Sequence, residues 1–435
     1  MAGSLTGLLG ANALMLVAGL GLVGLRRAAV AYLAGIALCC SLAAELAVVH
    51  VPYGWPALAL TAAATAGYRF RRLRSVGGGL RFARPSAAAL GAVALLAAVL
   101  VRAVPAFAVK PLDAYDGWAM WAMKGHALQL FGWADPKLLA NPAVAPLHLD
   151  YPLFVPALEA LSYTAMGAFD TRLVHVQFLL FAVAAVAALA WVLRRSAPPW
   201  VTWATVVAVV AAPNVLLRLL TAYADLPLAL LLAPAVAAAA RWLLTGERFL
   251  LALATLLFGA AALTKNEGLI FVGAAYVGLL AAAPRRWRPI ALSAVAVESL
   301  LLPWQLYVHV HGITSDSVFS DAFRFRGHLG VGPIALRTLL ENALSPHQWA
   351  LLGPLFLVAL VLGAVLGSRP VALFALLWSG LSLGALTWIY VASPLEYSSY
   401  LRSSADRVVS ALVLGAAALV PLLVGRQGYD RADHA

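Results

Sequence analysis

The fold turns on Tyr151–Phe169, YPLFVPALEALSYTAMGAF. The stretch is apolar, close to the length a helix needs to cross a bilayer, and carries Pro152 and Pro156 near its start. Whether it crosses decides on which side of the membrane every later loop falls. The rest of the chain identifies lipid as its solvent: of 435 residues, 63% are hydrophobic and 11% charged, against roughly 25% charged in soluble domains. Mean hydropathy is +0.90. Apolar runs of spanning length recur from Leu5–Leu25, through Trp200–Leu219, to Val408–Val424. The sequence predicts an all-α polytopic membrane protein.

Basic residues set the orientation. If 153–169 does not cross, 18 of the 30 Lys and Arg, from Arg26-Arg27 to Arg431, fall in short loops on one face, as the positive-inside rule requires. If it crosses, the early and late clusters land on opposite faces. The segment is therefore expected to be an interfacial or re-entrant helix pair. That leaves thirteen spans, with the N-terminus outside and the C-terminus in the cytoplasm.

Four regions follow. Residues 1–68 form an N-terminal three-helix unit, and 69–85 a basic cytoplasmic loop around Gly77-Gly78-Gly79. Residues 86–310 form the core, with a long external loop at 105–171. Residues 311–435 supply C-terminal helices, with external loops at 311–349 and 393–407. No internal repeat is evident.

Composition also excludes several classes. The net charge of +12 does not indicate nucleic acid, because the arginines occupy short loops rather than one face or tail. Cys39 and Cys40 are adjacent within an apolar run and read as small core residues, not as a metal or redox pair. The first apolar run continues to Arg26-Arg27, so no cleavable signal peptide is expected. The VGGGL stretch lacks the Lys-Ser/Thr ending of a phosphate-binding loop.

Against this background, DAYDGWAMWAMKGHAL (Asp113–Leu128) is crowded with polar groups. A structural account is available: Asp at a helix start complements the helix dipole, and Trp belongs to the aromatic belt of a surface helix. Accumulation on one face favours function. Asp225 in TAYADLPLA begins one predicted helix, and Lys265 with Glu267 in ALTKNEGLIF lies between two others. Asp406-Arg407 follows YLRSSA before the last span. Charge near membrane depth costs about 2.5–3.5 kcal/mol on insertion scales, so several charged junctions on one side are expected to converge. Each has a bland counterpart: a cap at Asp225, a snorkelling Lys265, a local ion pair at Asp406-Arg407.

YDGWAMWAMKGHAL resembles the first external-loop motif of the GT-C membrane glycosyltransferases, in particular bacterial relatives of the aminoarabinose and protein mannosyl transferases (glycosyltransferase family 39-like). LDYPLFVPAL is similar to the Tyr-Pro-Pro segment that follows in that loop, with Leu153 in place of the second Pro. YADLPLA and LTKNEGL resemble the Asp motif of a later span and the Lys-containing turn after it. The likeness runs from about Ser86 to Gly268 and leaves the three N-terminal helices outside it; beyond Gly268 only SSADRV is similar.

The resemblance implies a GT-C-type core whose external loop carries interfacial helices. It implies an enzyme of the bacterial cell envelope, in the inner (cytoplasmic) membrane, with its active site on the periplasmic face. The donor would be a polyprenyl-phosphate-linked sugar and the acceptor a lipid, glycan or protein. Direct displacement needs a base on the acceptor side and positive charge on the leaving phosphate. Asp116 aligns with the family's catalytic acid position and is the expected base, with Asp113 as second choice or its partner. Lys265, Tyr151, Arg324, Arg326 and Arg402 are candidates for the donor and its phosphate. Asp225, Glu267, Lys124, Asp406 and Arg407 are candidate supporting groups. Some relatives use a divalent metal ion; Asp113, Asp116, Asp225 and His126 are the candidate ligands here, at spacings that define no known site.

The rival class is a carrier or lipid flippase without covalent chemistry. Its marker would be an acid inside a span, Glu45 or above all Glu298. Absent repeats and absent matched broken helices stand against it.

Overall fold

The computed structural model describes residues 2–73, 86–141, 143, 148–313, 329–393 and 396–425, and among them every regular element is a helix. The chain runs through α1 (Ala2–Val23), α2 (Ala28–Val48), α3 (Trp55–Leu73) and α4 (Ala87–Val109). A π-helical turn, Asp116–Ala122, leads into α5 (Met123–Phe131), followed by α6 (Pro136–Leu139) and α7 (Phe154–Met166). Then come α8 (Val174–Leu193), α9 (Pro199–Ala211), α10 (Pro213–Arg218), α11 (Asp225–Thr245), α12 (Arg248–Ala262), α13 (Asn266–Ala282) and α14 (Trp287–Val310). The last elements are α15 (Val331–Ala343), α16 (Pro346–Trp349), α17 (Leu352–Leu366), α18 (Arg369–Ala392) and α19 (Tyr397–Val424).

Helices are the solution lipid imposes, since each backbone group must find its partner within its own segment. Among the described residues seven are long and apolar enough to cross a bilayer: α1, α2, α8, α11, α14, α18 and α19. Shorter apolar helices, among them α9, α12, α13 and α17, pack between them. The chain is thus a polytopic integral membrane protein. Its centre is α11, buried along nearly its whole length against α8, α12, α18 and α19.

Two ends of the bundle are defined by contacts between distant segments. At the basic end Arg27 pairs with Glu247 at 3.3 Å, and Arg241 donates to the Val192 carbonyl at 2.7 Å. At the other end Ala134 N–H bonds the Ala47 carbonyl (3.0 Å), Leu112 N–H the Thr171 carbonyl (3.1 Å), and the Tyr307 hydroxyl the Ala134 carbonyl (2.6 Å).

Helix α7, the segment on which topology turns, has both ends at this second end. Its Phe154 N–H bonds the Leu263 carbonyl at 3.0 Å, and its Ala165 carbonyl lies against Gly7 near the start of α1. With 13 residues it is about 20 Å long, short of the roughly 30 Å of bilayer hydrocarbon. Gly167 ends it in the left-handed region at φ 69°. It is a single helix rather than a pair, and it is buried under α1, α2 and α5 rather than laid on a surface.

Three sequence boundaries move. The run Trp200–Leu219 is not one helix: Pro213 cannot donate a backbone bond and holds Ala212 extended (ψ 130°), so α10 starts anew. The expected loop 393–407 is helical from Tyr397, because the Glu396 carboxylate accepts from the free N–H groups of Ser398 (3.1 Å) and Ser399 (2.8 Å). Asp406 and Arg407 therefore lie inside α19, not before it. The basic loop at 69–85 starts later than expected, since α3 runs on to Leu73; residues 74–85 lie outside the described ones. The N-terminal helices are joined to the core, with α2 packed on α8, α7 and α12 and Asn12 bonded to Gln177 at 2.7 Å.

Candidate functional site

The turn at Asp116 is built by a close approach. A Cβ on Gly117 would stand 1.9 Å from the Thr221 carbonyl oxygen, so only glycine lets the turn lie on the segment before α11. The backbone there winds one residue wide, Met123 N–H reaching back to the Trp118 carbonyl. Such π turns are uncommon and concentrate at functional sites. Across from Gly117, Ala222 is held at φ 52°, a conformation non-glycine residues rarely adopt. Trp121 and Lys124 are buried, so this is not a surface helix.

Asp116 is thereby brought to α19. Its Oδ2 accepts from Arg407 Nη1. No described residue donates to its Oδ1. The Arg407 guanidinium lies over the Tyr223 ring, 4.9 Å from its centroid, and within electrostatic reach of Asp225.

Asp225 opens α11 but caps nothing; its Oδ1 accepts from Lys265 Nζ at 2.9 Å. The same ammonium holds Glu267 Oε1 at 2.9 Å. All three side chains are at most 9% exposed. Burial alone would pull the Lys265 ammonium down, but Asp225 and Glu267 outweigh it and hold it above the usual lysine range. Glu267 Oε2 and Arg407 Nε are buried with no hydrogen-bond partner, and unmet polar groups of this kind are costly unless something else satisfies them.

Tyr151 closes one side. Lys265 Nζ and Lys124 Nζ each stand 5.9 Å from its ring centroid, and His148, itself at φ 48°, stacks on it at 5.0 Å. Burial, then Glu267, pushes the Tyr151 phenol up, so it stays a neutral donor. Lys124 donates to the His148 carbonyl at 3.0 Å and lies 4.7 Å from the Trp121 ring centroid. Burial pulls its ammonium down to about 8 against the pull of Asp150 and Glu159.

The structure thus brings together Asp116, Arg407, Asp225, Lys265, Glu267, Tyr151 and Lys124. Asp406 joins through Arg218 of α10. Other candidates stand apart. Asp113 is exposed and pairs with Lys110 at 3.4 Å. His126 bonds Gln129 at 2.9 Å and stacks on Phe169. Arg402 is exposed and donates to the Ser398 carbonyl of its own helix at 3.0 Å. Arg324 and Arg326 lie outside the described residues. Glu298 sits on the exposed face of α14, beside Leu302 and Val295, rather than in the bundle interior.

The metal candidates do not fit one ion. Asp113 and His126 face other partners, and among the described residues no group of three or more His, Cys, Asp or Glu is placed to hold a metal.

Sequence reading missed several members. Arg218 is 8% exposed and bonds both Asp406 and Asn214 Oδ1, the latter at 3.2 Å. Its signal was present: a single arginine inside the apolar stretch LLRLL, seven residues before Asp225. Asp150 takes Asn266 Nδ2 at 3.0 Å, and Trp304 Nε1 bonds its carbonyl at 3.0 Å. Glu159, fully buried in α7 with both carboxylate oxygens unbonded, faces Gly125 and is pushed well above the carboxylate range by burial. No pattern announced it.

Comparison of the chain with protein-family models, curated proteins and solved structures finds no match.

Proposed function

We propose that the chain is a GT-C-type membrane glycosyltransferase that moves a sugar from a polyprenyl-phosphate donor to an acceptor at the external face. The observation that carries this reading is the convergence of Asp116, Asp225, Lys265, Glu267 and Arg407 from four separate stretches of chain at one end of the bundle. They do so at the end opposite most of the arginines, where a donor's phosphate and sugar would lie at headgroup depth. In this reading the chain crosses thirteen times, through α1–α4, α8, α9 with α10, α11–α14 and α17–α19. Helices α5–α7 stay on the external side. The N-terminus is outside and the C-terminus in the cytoplasm of a bacterial inner membrane.

Asp116 is the general base. Arg407 holds one carboxylate oxygen, and Oδ1, to which no described residue donates, takes the acceptor proton as the acceptor oxygen bonds to the anomeric carbon. The bond from that carbon to the phosphate oxygen breaks, and the phosphate leaves with the electron pair. The unused Arg407 Nε and the third N–H of Lys265 neutralise it, with the Tyr151 phenol as a further donor. Asp225 and Glu267 fix Lys265 in place. The carrier reading finds less support, because its leading acid, Glu298, lies on the outer face of α14.

The test is transfer by purified protein from a panel of polyprenyl-phosphate monosaccharides. Asp116→Asn is expected to keep expression and elution volume and to lose about 10²–10⁴-fold in rate. Wild-type-like transfer by that variant removes Asp116 from the role. Substrate translocation by the wild type without any transfer product would instead establish the carrier.

A further inference from the structure

At the opposite end of the bundle, α12 and the start of α14 diverge below the turn that ends α11 and leave a groove of about 860 Å³. Three guanidiniums line its mouth: Arg248, Arg286 and Arg288. No carboxylate is among the lining residues. Arg286 donates to the Trp242 and Leu243 carbonyls at 3.4 Å each, which fixes the group without neutralising it. The acid close by, Glu247, does not line the groove and pairs with Arg27 at 3.3 Å. Three positive charges therefore face a common space with no counter-charge in its walls.

Below the mouth the groove is apolar. Leu251 on α12 and Leu292 and Ala296 on α14 form the walls. Thr255 and Ser293 lie at the floor, but their hydroxyls bond each other at 2.6 Å and Ser293 also meets the Tyr276 hydroxyl at 2.8 Å. Leu292 is 72% exposed, so the groove opens sideways toward lipid rather than into the bundle. From Arg248 to Thr255 it runs about 10 Å along the helix axis.

A cationic mouth over an apolar trough that opens toward lipid suits an anionic phosphate joined to a hydrocarbon chain, and in a bilayer the abundant molecule of that kind is a phospholipid. We infer that this groove binds an anionic glycerophospholipid of the leaflet at the basic end, its phosphate on Arg248, Arg286 and Arg288 and one acyl chain between α12 and α14. Charge that merely sets topology needs no trough; Arg285, in the same turn, is not among the residues that line this groove. The inference is independent of the activity proposed for the other end.

The test uses the full chain in neutral detergent, with phosphatidylglycerol as probe and native mass spectrometry and thermal unfolding as readouts. Phosphatidylglycerol is expected to be retained and to raise the unfolding temperature, while inorganic phosphate at millimolar concentration does neither. Arg248→Gln, Arg286→Gln and Arg288→Gln together should weaken retention about 100-fold, and each alone about 5-fold. Arg285→Gln should retain lipid as the wild type does. Ala296→Trp, which fills the outward-opening trough and spares the arginines, should also weaken retention. Wild-type retention by the triple variant overturns the inference, as does displacement of the lipid by inorganic phosphate. So does wild-type retention by Ala296→Trp, which would leave only unspecific attraction of charge to charge.

Discussion

Gly117 shows how one missing methyl group positions an acid. Without a Cβ the Asp116 turn rests on the Thr221 carbonyl, and Asp116 reaches Arg407. Gly117→Ala is therefore expected to push the turn away, destabilising the chain by about 1–3 kcal/mol and lowering the proposed transfer activity with it. Gly91→Ala, where a Cβ meets nothing within 4 Å, is the matched control; equal behaviour of the two in thermal unfolding would refute the account. Lys124 offers a pH-dependent check. Its folded-state ammonium titrates at about 8, below the roughly 10.4 of an unfolded lysine. Between those values the unfolded chain binds more protons, so stability rises with pH. From pH 8 to 9.5 the wild type should gain about 1.5 kcal/mol relative to Lys124→Met, read as a widening gap in unfolding temperature.

Each helix end at the site contributes charge for a local reason, and the pairing between ends is what makes that charge tolerable. Asp225 begins α11 and Glu267 lies in the first turn of α13, where the helix dipole favours acids. Lys265, in the turn between α12 and α13, bonds both. Lys265→Met strands two buried carboxylates and is expected to cost about 3–5 kcal/mol of stability. Replacing all three, as Asp225→Asn, Glu267→Gln and Lys265→Met, should recover most of that loss in denaturant unfolding. No recovery would mean that the lysine acts through something other than these acids. The break between α9 and α10 is a further device of this kind: Pro213 restarts the helix and Arg218 at its end meets Asp406 of α19.

The arrangement of helices gives the molecule a polar, acid-rich end and an arginine-rich one, and sidedness can be measured directly. Cys39 and Cys40 are buried and leave little labelling background. A cysteine at Tyr115, 58% exposed beside the site, is expected to react with an impermeant maleimide added outside intact cells. A cysteine at Arg285 is expected to react only after lysis. The reverse pattern would invert the orientation and place the acid cluster in the cytoplasm.

Much of this was written in the chain. Long apolar runs punctuated by arginine specify a helical membrane protein, because lipid accepts little else and translocation reads the charges. The same bias predicts that Tyr151–Phe169 stays on one side; what the structure adds is that α7 is a short helix with both ends at one end of the bundle. Asp116, Asp225, Lys265 and Arg407 stood out because charge is rare in such a composition. Their pairing did not, and neither did the burial of Glu159 or the separation of Asp113, His126 and Arg402 from the cluster. Composition and spacing record what each segment costs to place in lipid. Which charge meets which is settled by helices packing across hundreds of residues, Asp116 against Arg407 and Arg218 against Asp406, and no local pattern encodes that.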